Sequence, residues 1–282
     1  MIKVAIIGYG FVGKATSDGF KSNKVKKKHI DPKLGTKISD LQDFRPNFIF
    51  ICVPTPMEND GSQNFDNVIN VLKDLAKLET KATVILKSTV LPSNIIKAKK
   101  ICPNILYNPE FLREKFAKDD FINSPMIILG GEKKEQNKVK KLYQEYSHCR
   151  KPKYIFTDLI SAALVKYTIN SFLATKVIFF NQLKEIFDKS NSKETWKNFV
   201  DCLSNDTRIG SSHMMVPGPD GKKGFGGACF PKDTNAFKNY AESLNIDFAL
   251  LKLAITKNNE IRSKYDELDS REREQNIRFK DN

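Results

Sequence analysis

The first thirteen residues, Met1-Ile2-Lys3-Val4-Ala5-Ile6-Ile7-Gly8-Tyr9-Gly10-Phe11-Val12-Gly13, decide the fold. A short apolar run reads as a strand, ends in a glycine turn and opens into a helix. That is the setting in which a Gly-x-Gly-x-x-Gly motif carries meaning. Gly8 permits the tight turn, Gly10 lets a pyrophosphate approach the backbone, and Gly13 allows the helix to pack closely on the strand. The helix N-terminus, opening at Phe11 and Val12, offers N–H donors and a positive dipole to phosphate. Asp31 follows in His29-Ile30-Asp31-Pro32, at the end of a second strand, where a carboxylate accepts from a ribose 2′-hydroxyl. It favours NAD over NADP, with Lys33 and the run Lys26–Lys28 weighing the other way.

The remainder of the first half alternates. Apolar runs at Lys3–Ile7, Phe48–Val53, Thr83–Leu86, Ile105–Tyr107, Met126–Leu129 and Tyr154–Phe156 read as strands. Helical periodicity lies between them, as in Phe65–Leu78. Strands alternating with helices predict an α/β fold: a Rossmann-type, doubly wound, mainly parallel sheet. This first domain is expected over residues 1–157. From 158 onward the pattern predicts an all-helical central domain reaching residue 282. One long helix is expected over 158–190, capped by Thr157 or Asp158. Its apolar residues lie almost all round, which suggests a domain junction or a dimer seam. Further helices are expected over Ser192–Leu203, Pro231–Leu244 and Phe248–Ile261. The charged tail from Ser263 is expected to be a solvated or frayed helix.

Composition narrows the class. The 282 residues are 40% hydrophobic and 28% charged, values of a globular chain. The net charge is +14, and residues 1–150 carry ten of those surplus charges. Such a surplus suits nucleic acid, an acidic membrane face or a phosphorylated small molecule. No helix-turn-helix, RNP or zinc-finger pattern supports nucleic acid. Lys166, Lys176 and Lys184 interrupt the most apolar stretch, so no membrane span is expected. No cleavable signal pattern opens the chain. Five scattered cysteines without a Cys-x-x-Cys indicate neither a metal site nor a disulfide framework, and the cytoplasm is the expected compartment.

The densest chemical signal is Gly224-Phe225-Gly226-Gly227-Ala228-Cys229-Phe230-Pro231-Lys232-Asp233. Its glycines bring backbone close to a ligand. Pro231 suits the first turn of a helix. Cys229 then sits at a helix N-terminus, where the dipole favours thiolate, with Lys232 close by. Asp233, four residues on, can project toward the same site. Cys52, Cys102, Cys149 and Cys202 read as buried, inert thiols. Lys166 and Asn170 share one face of the long helix. Glu110 follows a strand in Asn108-Pro109-Glu110, at the carboxyl end where α/β sites assemble.

At this point the chain resembles the UDP-glucose 6-dehydrogenases, within the nucleotide-sugar dehydrogenases. The resemblance rests on the opening glycine motif, Cys52–Pro56, Ser88–Val90, Tyr107–Glu114, Val165–Lys176, Arg208–Gly227 and the cysteine segment, in the family's order. It implies oxidation of a sugar 6-hydroxymethyl to a carboxylate with two NAD, through a Cys229 thiohemiacetal and thioester. It further implies that Lys166 and Asn170 hold the reacting oxygen, that Glu110 is a general base acting through water, and that Asp233 orients water or stabilises Lys166. Thr89 is implied beside the nicotinamide, with Glu114 near cofactor or substrate. The Phe111-Leu112-Arg113 backbone and Gly226 are implied at the sugar. Arg208 is implied to reach a neighbouring subunit's substrate across a homodimer built on the long helix. The family also implies a C-terminal uridine-diphosphate-binding domain beyond the residues given, supplied here by a separately encoded chain or dispensed with. Alternatives are a GDP-mannose-type dehydrogenase and a non-catalytic NAD- or nucleotide-sugar-binding module.

Overall fold

A computed structural model describes residues 1–280; residues 281 and 282, the end of the expected second domain, lie outside the described residues. In chain order the elements are β1 (Ile2–Ile7), α1 (Phe11–Gly19), β2 (Val25–Ile30), α2 (Leu41–Phe44), β3 (Phe48–Ile51), α3 (Asp66–Lys77), β4 (Thr83–Leu86), α4 (Pro92–Ile101), β5 (Leu106–Tyr107), α5 (Ala117–Ile122), β6 (Met126–Gly130), α6 (Lys133–Tyr146) and β7 (Lys153–Thr157). The helical part follows as α7 (Leu159–Lys189), α8 (Trp196–Ser204), α9 (Phe230–Ser243), α10 (Ala249–Arg262) and α11 (Ser270–Glu274). The contacts divide the chain into one unit of residues 1–55 and 64–166, and a second of residues 56–63 and 167–282. The division passes through α7 rather than before it, and it assigns a short segment after β3 to the second unit.

The first unit holds a seven-stranded sheet in the order β2-β1-β3-β4-β5-β6-β7. Every pairing is parallel except β5 with β6, so the doubly wound, mainly parallel expectation is borne out. The inner strands read as unbroken apolar runs because both faces are covered. Ala5, Ile7, Ile49, Ile51, Val84 and Leu86 enter one buried layer. Their sequence neighbours Val4, Ile6, Phe50 and Ile85 enter the other. β2 is the strand that hydropathy alone obscures: it reads Val-Lys-Lys-Lys-His-Ile. It is an edge strand, where lysines discourage pairing with another chain.

In the second unit, Phe180 of α7 packs with Trp196, Val200, Met214 and Val216, while Ala174 and Ile178 pack with Phe225 and Ala254. α8 starts later than its periodicity suggests, because the Thr195 hydroxyl accepts the Asn198 N–H and caps it. The tail corrects the expectation of a solvated helix. Among the described residues of the tail only Ser270–Glu274 is helical, and Glu272, Ile277 and Phe279 are buried. Ile277 and Phe279 bury apolar surface against Met57, and Glu272 is paired, so the charge run is only partly a solvated face.

Candidate functional site

The order of the sheet reverses between β1 and β3, and the crevice outside the carboxyl ends of such strands is where doubly wound sheets bind ligands. The glycine turn stands there. Gly8 has φ +87°, and a Cβ on it would lie 2.8 Å from the Cys52 carbonyl and the Val53 nitrogen at the end of β3. A Cβ on Gly13 would lie 2.1 Å from the Gly8 carbonyl oxygen. Gly10 caps α1 and has nothing within 4 Å of its missing side chain, leaving the approach that a diphosphate needs. Phe11 and Val12 begin α1, whose first-turn N–H groups have no intrahelical acceptor.

Asp31 is pinned beside this turn. Its Oδ2 accepts the Tyr9 N–H at 2.7 Å, and its Oδ1 accepts the Lys33 N–H at 2.9 Å. A carboxylate has about four acceptor positions, so two backbone donors leave capacity for ribose hydroxyls. The neighbouring lysines are partly spoken for. Lys27 Nζ donates to the Ser17 and Phe20 carbonyls at 2.5 and 2.7 Å, capping the end of α1. Lys33 itself is exposed. The set therefore fits NAD. Asp31→Ala is expected to weaken NAD binding at least tenfold, on the order of one lost charge-assisted hydrogen bond. Titration calorimetry measures it, and unchanged affinity would remove Asp31 from the site.

The loops after β4 and β5 carry the other candidates of the first unit. Thr89 is buried, and its carbonyl accepts the Thr55 hydroxyl at 3.0 Å. Glu110 is buried, and its Oε2 accepts the Leu112 N–H at 2.6 Å. Lys166 of α7 reaches the same turn: its Nζ lies 2.6 Å from the Glu110 carbonyl oxygen, 3.3 Å from Glu110 Oε1 and 5.1 Å from the Phe111 ring centre. Glu110 and Lys166, 56 residues apart in sequence, thus form a buried ion pair. Arg113 and Glu114 are exposed, and Arg113 grips Asp120 with two nitrogens at 2.7 and 3.0 Å.

The second unit gathers a different group. Cys229, half-buried, is the N-cap of α9, and Pro231 occupies its first turn, so the helix begins where the motif predicts. One turn in, Asp233 is almost fully buried. Its Oδ2 accepts from Asn170 Nδ2 at 2.6 Å and its Oδ1 from Lys232 Nζ at 2.5 Å. The lysine that meets Asp233 within its own unit is therefore Lys232, which the sequence marks only as a neighbour of Cys229. Gly226 is half-buried, with Arg262 where its side chain would be. Arg208 is at the surface, and its guanidinium holds Asp206 at 2.6 Å.

Three further thiols, Cys52, Cys102 and Cys149, are half-buried, short of the buried assignment. Burial pushes Cys52 up to about 12 and also raises Cys102 and Cys149. Cys202 does not fit it: it lies exposed on α8. A second lysine the motifs pass over is Lys87, buried after β4 and lowered by loss of solvation. Its Nζ donates to Asn108 Oδ1 at 3.1 Å, and that oxygen also takes the Tyr143 hydroxyl at 2.7 Å. This network steadies the strand end two residues before Glu110. The signal was a lysine directly after an apolar strand, which periodicity alone assigns to solvent. Among the described residues, no group of three His, Cys, Asp or Glu side chains could hold a metal ion.

Residues 24–147 match the NAD-binding domain of the UDP-glucose/GDP-mannose dehydrogenase family, and residues 160–260 match that family's central domain. The chain belongs to the UDP-glucose/GDP-mannose dehydrogenase family. It carries the family's NAD-binding domain. Among relatives of this dehydrogenase family, UDP-glucose 6-dehydrogenase of Rickettsia conorii is 36% identical over 74% of this chain and 48% of its own length. UDP-glucose 6-dehydrogenase YwqF of Bacillus subtilis is 30% identical over 92% of this chain and 66% of its own length. A solved UDP-glucose dehydrogenase from the archaeon Pyrobaculum islandicum superposes with a TM-score of 0.75 at 25% identity, covering 92% of this chain and 68% of that one. The chain spans about half the length of the Rickettsia relative.

Proposed function

We propose that this chain forms the cofactor-binding and catalytic part of an NAD-dependent nucleotide-sugar 6-dehydrogenase that converts UDP-glucose to UDP-glucuronate through Cys229. The observation that carries the proposal is the N-cap position of Cys229, with the buried Asn170–Asp233–Lys232 cluster in the helix turn behind it. The glycine turn and Asp31 hold the cofactor in this scheme. NAD, when bound, would supply the hydride acceptor for both oxidations, one molecule for the alcohol and a second for the thiol adduct of the resulting aldehyde. The remaining work falls to side chains. The helix dipole favours the Cys229 thiolate, which adds to the aldehyde carbon and gives a thiohemiacetal; oxidation of that adduct leaves a thioester. Lys166 and Asn170 donate to the oxygen that gains charge at each stage. Glu110 takes the proton from the water that hydrolyses the thioester. Asp233 keeps Asn170 and Lys232 oriented. Thr89, Glu114 and the Phe111–Arg113 backbone line the cofactor and sugar in the same scheme.

A homodimer is part of this proposal. Phe172, Phe179 and Ile186 recur every seventh residue along α7 and are 66%, 61% and 64% exposed. One helix face bearing that much open apolar surface is suited to a second copy, and Arg208 would then serve the neighbour's substrate. α7 is also the one helix among the described residues long and apolar enough to cross a membrane, but half of that stretch is buried within the protein. We place the protein in the cytoplasm, which keeps five free thiols reduced. The test is a stoichiometry. Purified protein, NAD and UDP-glucose are expected to yield two NADH per UDP-glucuronate. Repeating the assay with a separately encoded C-terminal chain separates a self-sufficient catalyst from one needing a partner. The absence of NADH under both conditions would overturn the proposal and leave a binding module. Turnover of GDP-mannose instead would transfer it to that substrate.

A further inference from the structure

Residues 263–280 lie beyond the stretches that match the family's two domains. The fold nevertheless works this tail into the loop that leads to Cys229. Glu272 is fully buried; its Oε1 accepts the Gly227 N–H at 2.9 Å and Arg262 Nη2 at 2.8 Å. Its Oε2 accepts the Asp269 N–H at 2.9 Å. Arg262, also buried, donates from Nη1 to Asp220 Oδ2 at 2.7 Å, so one guanidinium ties the early part of the loop to the carboxylate that holds its end. Two more contacts run alongside. Lys222 Nζ donates to the Glu267 carbonyl at 2.7 Å, and the Tyr265 hydroxyl accepts the Lys223 N–H at 2.9 Å. The fit leaves no slack: a Cβ on Gly226 would lie 2.0 Å from Arg262 Nη2 and 2.5 Å from Glu272 Oε1.

We propose that Glu272 is a positioning residue for Cys229: its carboxylate fixes the Gly227 peptide, two residues before the thiol, and so sets the turn that puts Cys229 at the N-cap of α9. This deepens the assignment of Cys229 as nucleophile and rests on it. A glycine-rich loop loses more backbone freedom on ordering than any other, so it needs a strong anchor. A charge-assisted hydrogen bond in a dry interior is such an anchor. The desolvation cost of a buried carboxylate is offset only when its oxygens are well paired, as the three donors here provide.

The test compares iodoacetamide alkylation of Cys229 with that of the exposed Cys202 in the same molecule, by mass spectrometry. Glu272→Ala and Glu272→Gln both take one of the two carboxylates from the buried Arg262 and leave it Asp220 alone, so both lower the melting temperature. Only Gln keeps an oxygen for the Gly227 N–H. In Glu272→Ala the Cys229/Cys202 rate ratio is expected to fall about tenfold as the thiol loses its place at the helix terminus. In Glu272→Gln it is expected to recover to within about threefold of the unmodified chain. An unchanged or increased ratio in the Ala variant, or an equal fall in both, overturns the role of Glu272 alone. A Cys229 no faster than Cys202 in the unmodified chain overturns the nucleophile assignment, and this inference with it. If neither variant folds, hydrogen exchange at the Gly227 amide of the unmodified chain decides: strong protection supports the anchor, and exchange at the rate of an open loop refutes it.

Discussion

Cys229→Ser is expected to stop the reaction at the aldehyde. The first hydride transfer needs no covalent bond to the protein, so one NADH per turnover should persist or the aldehyde should be released. The second needs a carbon–sulfur adduct. A serine hydroxyl at this helix terminus ionises far less readily than a thiol, and an ester resolves more slowly than a thioester. UDP-glucuronate formation is therefore expected to fall by on the order of 10³ or more, as for loss of other catalytic nucleophiles. The readout is NADH per substrate, with trapping of the aldehyde by a hydroxylamine-type reagent. Two NADH per UDP-glucuronate at the unmodified rate would contradict the proposed role of Cys229. The cysteine is half-buried at the start of α9, and a one-atom change there is not expected to disturb the fold.

The second large effect concerns stability. Asp233 is 1% exposed and receives Lys232 Nζ and Asn170 Nδ2. Asp233→Ala leaves a buried ammonium and a buried amide without their acceptor. Removing one partner of a buried ion pair costs about 3–5 kcal/mol, because the remaining charge stays desolvated. A fall in melting temperature on the order of 10 °C follows. Combining it with Lys232→Met removes the stranded charge and is expected to recover part of that loss, the remainder being the Asn170 amide still without its acceptor and the space the carboxylate filled. Thermal unfolding of the single and double variants measures both. A single variant as stable as the unmodified chain would show that Lys232 finds another acceptor. Activity should not return in the double variant if Asp233 orients Asn170 in the reaction.

Much of the fold is legible in the residue order. The inner strands announce themselves because burial on both faces demands continuous apolar runs, and Thr83–Leu86 matches β4 residue for residue. The start of α9 is legible because Pro231 suits a first turn and Cys229 precedes it. β2 is legible only through the motif that places a second strand before Asp31, because an edge strand is free to carry lysines and its hydropathy hides it. The tail misleads for a related reason. A mixed run of charges looks solvated until a partner is known, and the partners of Glu272 are Arg262, ten residues away, and Gly227, forty-five residues away. Cys202 shows the reverse: nothing near it in the sequence tells a buried thiol from an exposed one.

The residue order by itself determined what depends on neighbours along the chain. The strand, the glycine turn, the helix opening at Phe11 and the cysteine at a helix N-terminus all follow from steric and hydrogen-bonding limits within a few residues. Only the tertiary structure decided how the buried charges are shared. Lys166 meets Glu110, Lys232 meets Asp233, and Glu272 holds Gly227. The physical reason is that a charge's partner is set by which segments exclude water around it. That exclusion belongs to the packed chain, and spacing along the sequence does not encode it.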